Sequence, residues 1–386
     1  MTAAEGGDIF TPHKPTGTPM SDLNHEKLEF TVSRELHDDE WDDFLSARPT
    51  GQFQQSSLWA QVKASESWEC SRLLVRRGGV LLGGAQMLFR AARFGRIGYV
   101  SKGPVLAAGE ESLFRSILEE LRSLGRSLGL KAWILQPPDE STWQEPTLAR
   151  SGYFPAYLMR IIDATLVIDL ARSWDDLFGN VNRSTRQRAK QAERKGILIK
   201  EGGEADIGLF FRLMLETCRS QRTRPNPGSI QALTELWRAF SPAGRARLTF
   251  AEKDGVPLAG LLCICFGSRA TLWKKGWDRA SGAMHPNEAL HVEAIRWAWE
   301  HGFQYCDFVA LDPGIAEAML AGRPLDAKQK RSRHLFNVKM GAAPKLLPPA
   351  VIYISDPVVR TIHRVVGRVP LLTALLRKAT MGFGRS

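Results

Sequence analysis

Residues 284–311 read MHPNEALHVEAIRWAWEHGFQYCDFVAL, and this stretch decides the fold. Pro286 and Asn287 indicate a loop, and apolar side chains then recur at helical spacing until Gly302 ends the helix. A mainly apolar run that ends at Leu311 follows and is typical of a buried strand. A helix that passes into a strand through one glycine is an α/β unit.

The same succession occurs once earlier in the chain. Apolar residues from Leu113 to Leu124 recur at helical spacing, Gly129 ends that helix, and residues 131–136 (KAWILQ) follow as a strand. The two copies lie about 175 residues apart, a period too long for a solenoid repeat. The chain is therefore predicted to contain two tandem α/β domains of one kind.

A hairpin precedes each helix and strand pair. Residues 72–90 and 247–267 each contain a strand, a glycine-containing turn and a second strand. The turns are Gly78-Gly79 in the first copy and Asp254-Gly255 in the second. The repeated hairpins support the duplication.

Length and composition fit a globular protein with two cores. The chain has 386 residues, of which 44% are hydrophobic and 24% charged. It contains no apolar run long enough to cross a membrane and begins without an apolar signal core, so a cytoplasmic location is expected. Five cysteines without metal-type spacing predict reduced packing residues and no metal site.

The net charge of +11 favours an anionic partner: nucleic acid, a phosphorylated substrate or an acidic membrane surface. The most basic segment is residues 182–196, in which six basic residues face only one acidic residue, Glu193. Its cations form one helical stripe, composed of Arg183, Arg186, Lys190 and Arg194. The stripe is either a solvated face or a surface for phosphates.

Two further segments carry candidate binding residues. Trp59 and Lys63 lie one helical turn apart. They are either a core tryptophan with a solvated lysine behind it or a pair that binds a ligand. Tyr99 and Lys102 lie in YVSKGPV at a strand end, which is both a turn signal and the place where open α/β sheets bind ligands.

The loop CRSQRTRPNP contains Arg219 and Arg222, which suit bidentate capture of phosphate or carboxylate but also fit a plain surface. Near the end of the second copy, Phe336 and Val338 alternate as in a strand, with Lys339 at its edge. That lysine is either snorkelling or functional.

The order of these motifs resembles the FemABX family. The motifs are Q-S-x-x-W-A-x-V-K, Y-x-x-[KR]-G-P-V, a basic helix ending K-G-I, E-T with nearby arginines, P-N…L…A-I-x-W-A…G…Y-x-D-F, and F-x-V-K-x-G. The resemblance covers residues 40–350 and implies a cytoplasmic transferase of peptidoglycan and cell-wall biogenesis, a process that sets cell shape. Such an enzyme moves an amino acid from aminoacyl-tRNA to the stem peptide of a lipid-linked or nucleotide-linked precursor.

The fold class implied is α/β (α+β), with two tandem GNAT-like acyltransferase domains. Sustained heptads are absent, so the form without a coiled-coil arm is expected. The expected organisation is a disordered segment (1–27), a precursor-binding GNAT-like domain (28–160), a second GNAT-like domain (161–343) and a basic amphipathic C-terminal segment (344–386) packed on the first domain.

The resemblance also implies roles for individual residues. Lys63 and either Arg219 or Arg222 would grip the phosphates of the precursor, and Lys339 would lie near the reacting ester. The sequence departs from the family where Val309-Ala310 replaces two glycines and where Val338 replaces a phenylalanine.

An aminoacyl ester is already activated, so its attack by an amine needs positioning, oxyanion stabilisation and removal of one proton. Lys339 is the candidate oxyanion partner and Asp307 the candidate proton acceptor, although such an aspartate also caps turns. No cofactor is expected beyond aminoacyl-tRNA as co-substrate.

Two other functions remain open. Arg279-Ala-Ser-Gly282-Ala-Met284 partly matches the pyrophosphate loop of GNAT acetyltransferases, which would make acetyl-CoA the donor. The tail from Pro357 to Arg385 mixes apolar residues with arginines and lysines, so the chain could instead be a non-catalytic RNA- or membrane-surface-binding protein. Packing of the apolar face of this tail on the first domain is the favoured alternative, because Gly367 and Pro370 interrupt a single long helix.

Overall fold

The computed structural model describes residues 27–92, 95–139, 141, 145–156 and 161–367. The first half contains β1 (Leu28–Ser33), α1 (Asp39–Ser46), α2 (Ser57–Ala64), β2 (Glu69–Arg77), β3 (Val80–Ala92), β4 (Gly95–Ser101), β5 (Val105–Leu106), α3 (Phe114–Ser127), β6 (Leu130–Gln136), α4 (Glu145–Arg150) and β7 (Phe154–Pro155). The predicted disordered segment falls almost wholly outside the described residues.

The second half repeats this succession. It contains β8 (Ala164–Asp169), α5 (Trp174–Asn180), α6 (Arg183–Arg194), β9 (Leu198–Gly202), α7 (Ile207–Ser220), α8 (Ile230–Phe240), β10 (Ala246–Lys253), β11 (Val256–Phe266), β12 (Arg269–Trp277), α9 (Pro286–Glu300), β13 (Tyr305–Asp307), α10 (Pro313–Leu320), α11 (Leu335–Lys339) and β14 (Ala343–Leu346). The chain then continues through β15 (Val351–Ile354) and α12 (Pro357–Gly367).

Both halves form a mixed sheet with the same strand order. The first sheet runs β1-β2-β3-β4-β6-β15-β7, with β5 paired to β3, and the second runs β9-β10-β11-β12-β13-β8-β14. In each sheet one parallel pair, β4 with β6 or β12 with β13, is joined by a helical crossover, α3 or α9. The predicted duplication is confirmed. Strand β15, which follows the second half in the chain, occupies the same position in the first sheet as β8 does in the second.

The two hairpins form because their turns accept positive φ at both central residues. Gly78 and Gly79 have φ of 55° and 78°, and Asp254 and Gly255 have φ of 52° and 77°. These angles suit the type I′ turn, whose twist matches that of the flanking strands. The predicted hairpins are therefore present as β2-β3 and β10-β11.

One apolar cluster joins the two halves. Phe53 and Trp59 from the first half pack with Phe240 from the second, and the rings of Phe53 and Phe240 meet edge to face at 6.3 Å. Trp59 also meets Trp273 of β12 edge to face at 6.2 Å. Burial of such aromatic side chains stabilises an interface strongly, so the sheets hold one shared cleft in a fixed geometry.

Two local predictions are wrong. The strand predicted to end at Leu311 ends at Asp307, because Val309 has a φ of 74° and cannot continue an extended chain. Residues 335–339 form the helix α11 rather than a strand. Two apolar residues at alternate positions are too few to distinguish the two-residue period of a strand from the 3.6-residue period of a helix.

The last described helix, α12, packs on the first sheet through its polar side. Arg360 donates to the carbonyls of Ile354 and Ser355, His363 lies 3.1 Å from the carbonyl oxygen of Pro155, and Arg364 lies over the ring of Phe154. The expectation that its apolar face packs on the first domain is wrong for this helix. Its outward side carries the exposed apolar residues Val358, Val359, Ile362 and Val365.

The remainder of the predicted amphipathic tail, residues 368–386, lies outside the described residues. None of the helices in the described part of the chain is long and apolar enough to cross a membrane.

Candidate active site between the two sheets

A cavity of about 550 Å³ lies between the two sheets. Side chains from both halves line it, and among them are Trp59, Lys63, Trp68, Arg90, Tyr99, Lys102, Asp139, Thr165, Arg269, Trp273, Lys274, Asp307 and Arg333. Six of these residues are cationic and none of the described lining residues is a cysteine or histidine. The cavity is therefore suited to an anionic ligand and offers no thiol or imidazole nucleophile.

Helix α2 places Trp59 and Lys63 on the wall of this cavity. The hydroxyl of Ser56 caps the helix by accepting from the Trp59 amide at 3.1 Å, and Lys63 follows one turn later. The ammonium group of Lys63 lies 4.9 Å from the Trp59 ring centroid and 3.0 Å from a carboxylate oxygen of Glu66. Lys63 is only 5% exposed, so it is not the solvated lysine of the plainer interpretation.

The end of β4 supplies Tyr99 and Lys102. Lys102 has a φ of 56°, and its ammonium group lies 2.5 Å from Asp139, which also accepts from Gln52 at 2.8 Å. Burial raises the pKa of Tyr99 to about 12, so its hydroxyl stays protonated near neutral pH. The structure thus brings Trp59, Lys63, Tyr99 and Lys102, four of the residues predicted to contact substrate, onto the wall of one cavity.

A buried ion network crosses from the first half to the second at this cavity. Arg269 lies 2.8 Å from Asp307 and 3.8 Å from Asp139, which itself binds Lys102. Burial raises the pKa of Asp139, but Lys102 and Arg269 lower it more, so the net pKa lies below its ordinary value. Two cations and two carboxylates balance each other in this network.

Asp307 is held in place from three sides. Besides Arg269, its carboxylate accepts from the hydroxyl of Thr165 at 2.6 Å and from the Val309 amide at 2.7 Å. The contact with Val309 is the turn cap that the sequence offered as the alternative to a proton acceptor. This geometry favours a role in positioning Arg269 over proton transfer.

Sequence reasoning missed Lys274 and Arg269, although each is a cation within the strand sequence RATLWKKGW. The Lys274 ammonium lies 4.5 Å from the Trp273 ring centroid. Burial, aided by the charge of Lys63, lowers the pKa of Lys274 to about 8. The signal available in the sequence was the presence of lysine and arginine in an otherwise apolar strand.

Several predicted residues do not reach this cavity. Arg219, in the last turn of α7, and Arg222, on the loop after that helix, are both exposed, and neither lines the cavity. From that region Asn226 does, and Arg333, a lining residue, donates to Gln221 at 2.8 Å. Lys339 is exposed at the end of α11 and is also absent from the lining, so the structure does not place it beside Asp307.

The basic stripe divides in the structure. Arg186 turns back to donate to the carbonyls of Phe178 and Val181, at 3.1 and 2.6 Å, and so caps the end of α5. The other three predicted cations, Arg183, Lys190 and Arg194, are exposed on α6. Only these three are available to face phosphates.

The loop proposed for acetyl-CoA is poorly suited to an anion. Residues 279–284 form a 3₁₀ helix, and the Ala280 amide already bonds to Asp278. At the start of α9, Pro286 has no amide hydrogen and Glu288 places a carboxylate in the first turn. A helix N-terminus normally attracts an anion, but a pyrophosphate at this one would be repelled by the carboxylate of Glu288.

Two family models match the chain, one in each half. Residues 36–141 match the FemAB family, and residues 179–316 match the acetyltransferase (GNAT) domain. Among solved structures, the crystal structure of FemX covers 88% of this chain and 100% of its own, with a TM-score of 0.74 at 16% identity. A tandem GNAT protein from the clavulanic acid biosynthesis pathway covers 86% of this chain and 99% of its own, with a TM-score of 0.50 at 15% identity.

Two relatives are similar to this chain in sequence. The UDP-N-acetylmuramoylpentapeptide-lysine N(6)-alanyltransferase of Weissella viridescens is 24% identical over 284 residues, which are 67% of this chain and 79% of that protein. The lipid II:glycine glycyltransferase of Staphylococcus aureus is 22% identical over 227 residues, 56% of this chain. The chain spans about half, 53%, of the latter protein. These matches confirm the tandem GNAT-like fold and the resemblance to the FemABX family.

Proposed function

We propose that this FemABX-related transferase moves an amino acid from aminoacyl-tRNA to the stem-peptide amine of a peptidoglycan precursor. The observation that carries the proposal is the cavity between two GNAT-like sheets, walled by cations from both. A precursor linked to its carrier through phosphates presents the anion that such a wall attracts. The relatives named above act on precursors of this kind, as their names state.

The chemistry asks little of the protein beyond position and charge. The precursor amine attacks the ester carbonyl, the new C–N bond forms, and the ribose oxygen of the tRNA leaves with the proton that the amine gives up. Direct transfer needs no covalent enzyme intermediate, in agreement with a lining that offers neither cysteine nor histidine among its described residues. No cofactor is required beyond the aminoacyl-tRNA.

A position for the tRNA is suggested by α6. Arg183, Lys190 and Arg194 are exposed on one helix, and none of them has an ion-pair partner among the described residues. Unpaired cations of this kind bind a nucleic-acid backbone by releasing its counterions. We assign the tRNA body to this surface and the aminoacyl end to the cavity.

Acetyl transfer from acetyl-CoA is the rival reaction. Pro286 and Glu288 at the start of α9 weaken it, because they remove an amide donor and add a negative charge at the place where the pyrophosphate would bind.

Contact with a membrane would bring a lipid-linked precursor to the cavity. The exposed apolar side of α12 supports such contact, since Val358 is 66% exposed and both Ile362 and Val365 are 56% exposed. An apolar helix side on a chain of net charge +11 fits an anionic bilayer surface. We therefore propose a cytoplasmic enzyme that binds peripherally at the inner face of the membrane.

The experiment that tests the function is a donor comparison. The purified chain is offered a peptidoglycan precursor together with charged tRNAs or with acetyl-CoA, and the precursor is analysed by mass spectrometry. The proposal expects a gain of one amino acid residue with tRNA and none with acetyl-CoA. Acetylation of the precursor, without aminoacylation, would replace it with the rival reaction.

A further inference from the structure

We propose that a second pocket, at the β14 edge of the second sheet, binds a free α-amino acid with an apolar side chain in its zwitterionic form. The pocket has a volume of about 380 Å³ and lies between β8, β14, α5 and α9. This volume falls within the usual range of small-molecule sites, about 300–1,000 Å³. The pocket shares no lining residue with the cavity between the two sheets, so it is a separate site.

The outer edge of β8 is unpaired where it lines this pocket. Strand β14 pairs with β8 as far as Val167 and then leaves it, because Gly341 donates its amide within the preceding turn instead. On the opposite side of β8, Leu170 donates to the carbonyl of Gln304 at 2.8 Å. Alternate residues of a strand bond to opposite sides in an antiparallel ladder, so the backbone N–H and C=O of Asp169 point toward the side that β14 has left. A strand edge of this kind recognises the backbone-like groups of an amino acid or peptide.

Two side chains of opposite charge line the same pocket. Asp169 accepts from the Ala171 amide at 3.0 Å, but no cation of the described residues pairs with its carboxylate. The guanidinium of Arg172 has neither an ion pair nor a hydrogen bond within the described part of the chain. A zwitterion satisfies both groups, because its ammonium pairs with Asp169 and its carboxylate accepts from Arg172. A simple anion would be opposed by Asp169, and a simple cation would be opposed by Arg172.

The floor of the pocket is apolar. It consists of the buried side chains of Ile168, Leu177, Ile295 and Met340. A ligand whose charged end lies at Asp169 therefore places its side chain on an apolar surface, where burial of hydrocarbon is favourable. This floor selects amino acids such as leucine over those with small or charged side chains.

Tyr305 separates this pocket from the ion network of the cavity. It lines the pocket, and the guanidinium of Arg269 lies 5.4 Å from its ring centroid. Arg269 in turn lies 2.8 Å from Asp307, on the cavity side. The pocket therefore adjoins the cavity through one aromatic ring, and an amino acid bound in it would not occupy the place of the precursor or of the aminoacyl group.

The test compares ligands by calorimetry at neutral pH on the full chain. The probes are L-leucine, leucinamide, which lacks the carboxylate, N-acetylleucine, which lacks the ammonium, and L-alanine, which lacks most of the side chain. We expect L-leucine to bind with a Kd below about 1 mM. Each of the other three should bind about tenfold or more weakly, because it leaves a charged group unpaired or the floor uncovered.

Two variants assign the charged ends of the ligand to their partners. Arg172→Met should weaken L-leucine about tenfold and leave leucinamide unchanged, since that derivative has no carboxylate to lose. Asp169→Asn, whose side-chain oxygen can still accept from the Ala171 amide, should weaken L-leucine about tenfold and leave N-acetylleucine unchanged. Arg126→Met is the control, because it removes an exposed arginine of α3 that does not line the pocket.

The ligand comparison on the original chain tests the charge pattern even if a variant does not fold. No binding of L-leucine at about 10 mM, or equal affinity for L-leucine and its two derivatives, would overturn the site. Binding that both variants leave unchanged would place the amino acid elsewhere and would also overturn it. The measurement uses neither tRNA nor precursor, so its failure leaves the proposed transfer reaction intact, and failure of that reaction leaves the pocket intact.

Discussion

Replacing Arg269 by methionine should destabilise the fold through the buried ion network that joins the two halves. The change removes a contact of 2.8 Å with Asp307 and one of 3.8 Å with Asp139, and it leaves both carboxylates buried. Removing one partner of a buried ion pair costs about 3–5 kcal/mol of the free energy of unfolding.

The remaining donors decide where in that range the loss falls. Asp139 keeps Lys102 at 2.5 Å and Gln52 at 2.8 Å, and Asp307 keeps Thr165 and the Val309 amide. Because each carboxylate retains two donors, the lower end, about 3 kcal/mol, is expected. The double variant Arg269→Met/Asp307→Asn should recover part of that loss, since it also removes the unpaired charge.

The assay is urea unfolding of the original chain, of Arg269→Met, of Asp307→Asn and of the double variant. Below about pH 4 the gap between the original chain and Arg269→Met should narrow. Because the pKa of Asp139 is lowered in the folded protein, its ionised carboxylate contributes stability at pH values above the ordinary pKa of an aspartate. This stability is lost as the pH falls through the lowered pKa and the carboxylate becomes protonated. A loss below about 1 kcal/mol at pH 7 would refute the assignment of the network as an ionic link between the halves.

Three further predictions concern packing and surfaces. Gly276→Ala should lower the free energy of unfolding, measured by urea titration, by about 3 kcal/mol, because the added Cβ would lie 2.3 Å from the Met214 backbone nitrogen. Gly282→Ala is the control and should change the free energy of unfolding little, because its Cβ would lie 3.6 Å from the nearest atom. The triple variant Arg183→Ser/Lys190→Ser/Arg194→Ser should weaken tRNA binding in filter assays and reduce the slope of log affinity against log salt concentration by about 2 in magnitude. The control variant Arg115→Ser/Arg126→Ser, on α3, should leave that slope unchanged. Equal slopes for the triple variant and the original chain would show that α6 does not bind the tRNA. Val358→Ser/Ile362→Ser/Val365→Ser should reduce flotation with anionic liposomes at an unchanged melting temperature, and full retention would argue against α12 as the membrane contact.

The elements that sequence analysis predicted well are those in which neighbouring residues decide the outcome. The turns at Gly79 and Gly255 need positive φ, and α9 combines an apolar face with Pro286 at its start. The pair Trp59 and Lys63 reaches the cavity because the capped helix α2 fixes their separation at one turn. Such features can be predicted from the local spacing of apolar residues and from the residues that begin or end a helix or strand.

What the sequence could not predict depends on contacts between distant segments. Arg269 meets Asp139 across the two halves, and Asp307 binds Thr165 of the neighbouring strand β8, which lies 142 residues earlier in the chain. The place of Lys274 depends on which face of β12 looks into the cavity, and β12 carries a register shift near that residue. Lys339 was misplaced because a three-residue alternation resembled a strand while the chain formed a helix.

The fate of a label carried by the aminoacyl group tests the central claim most directly. Aminoacyl-tRNA labelled in its amino acid is mixed with the chain and a peptidoglycan precursor, and label on each is followed over time. We expect one labelled amino acid to appear on the precursor for each one that the enzyme removes from the tRNA, and we expect ribonuclease pretreatment to abolish the transfer. Transfer that survives ribonuclease, or a precursor that stays unlabelled with every charged tRNA, would contradict it.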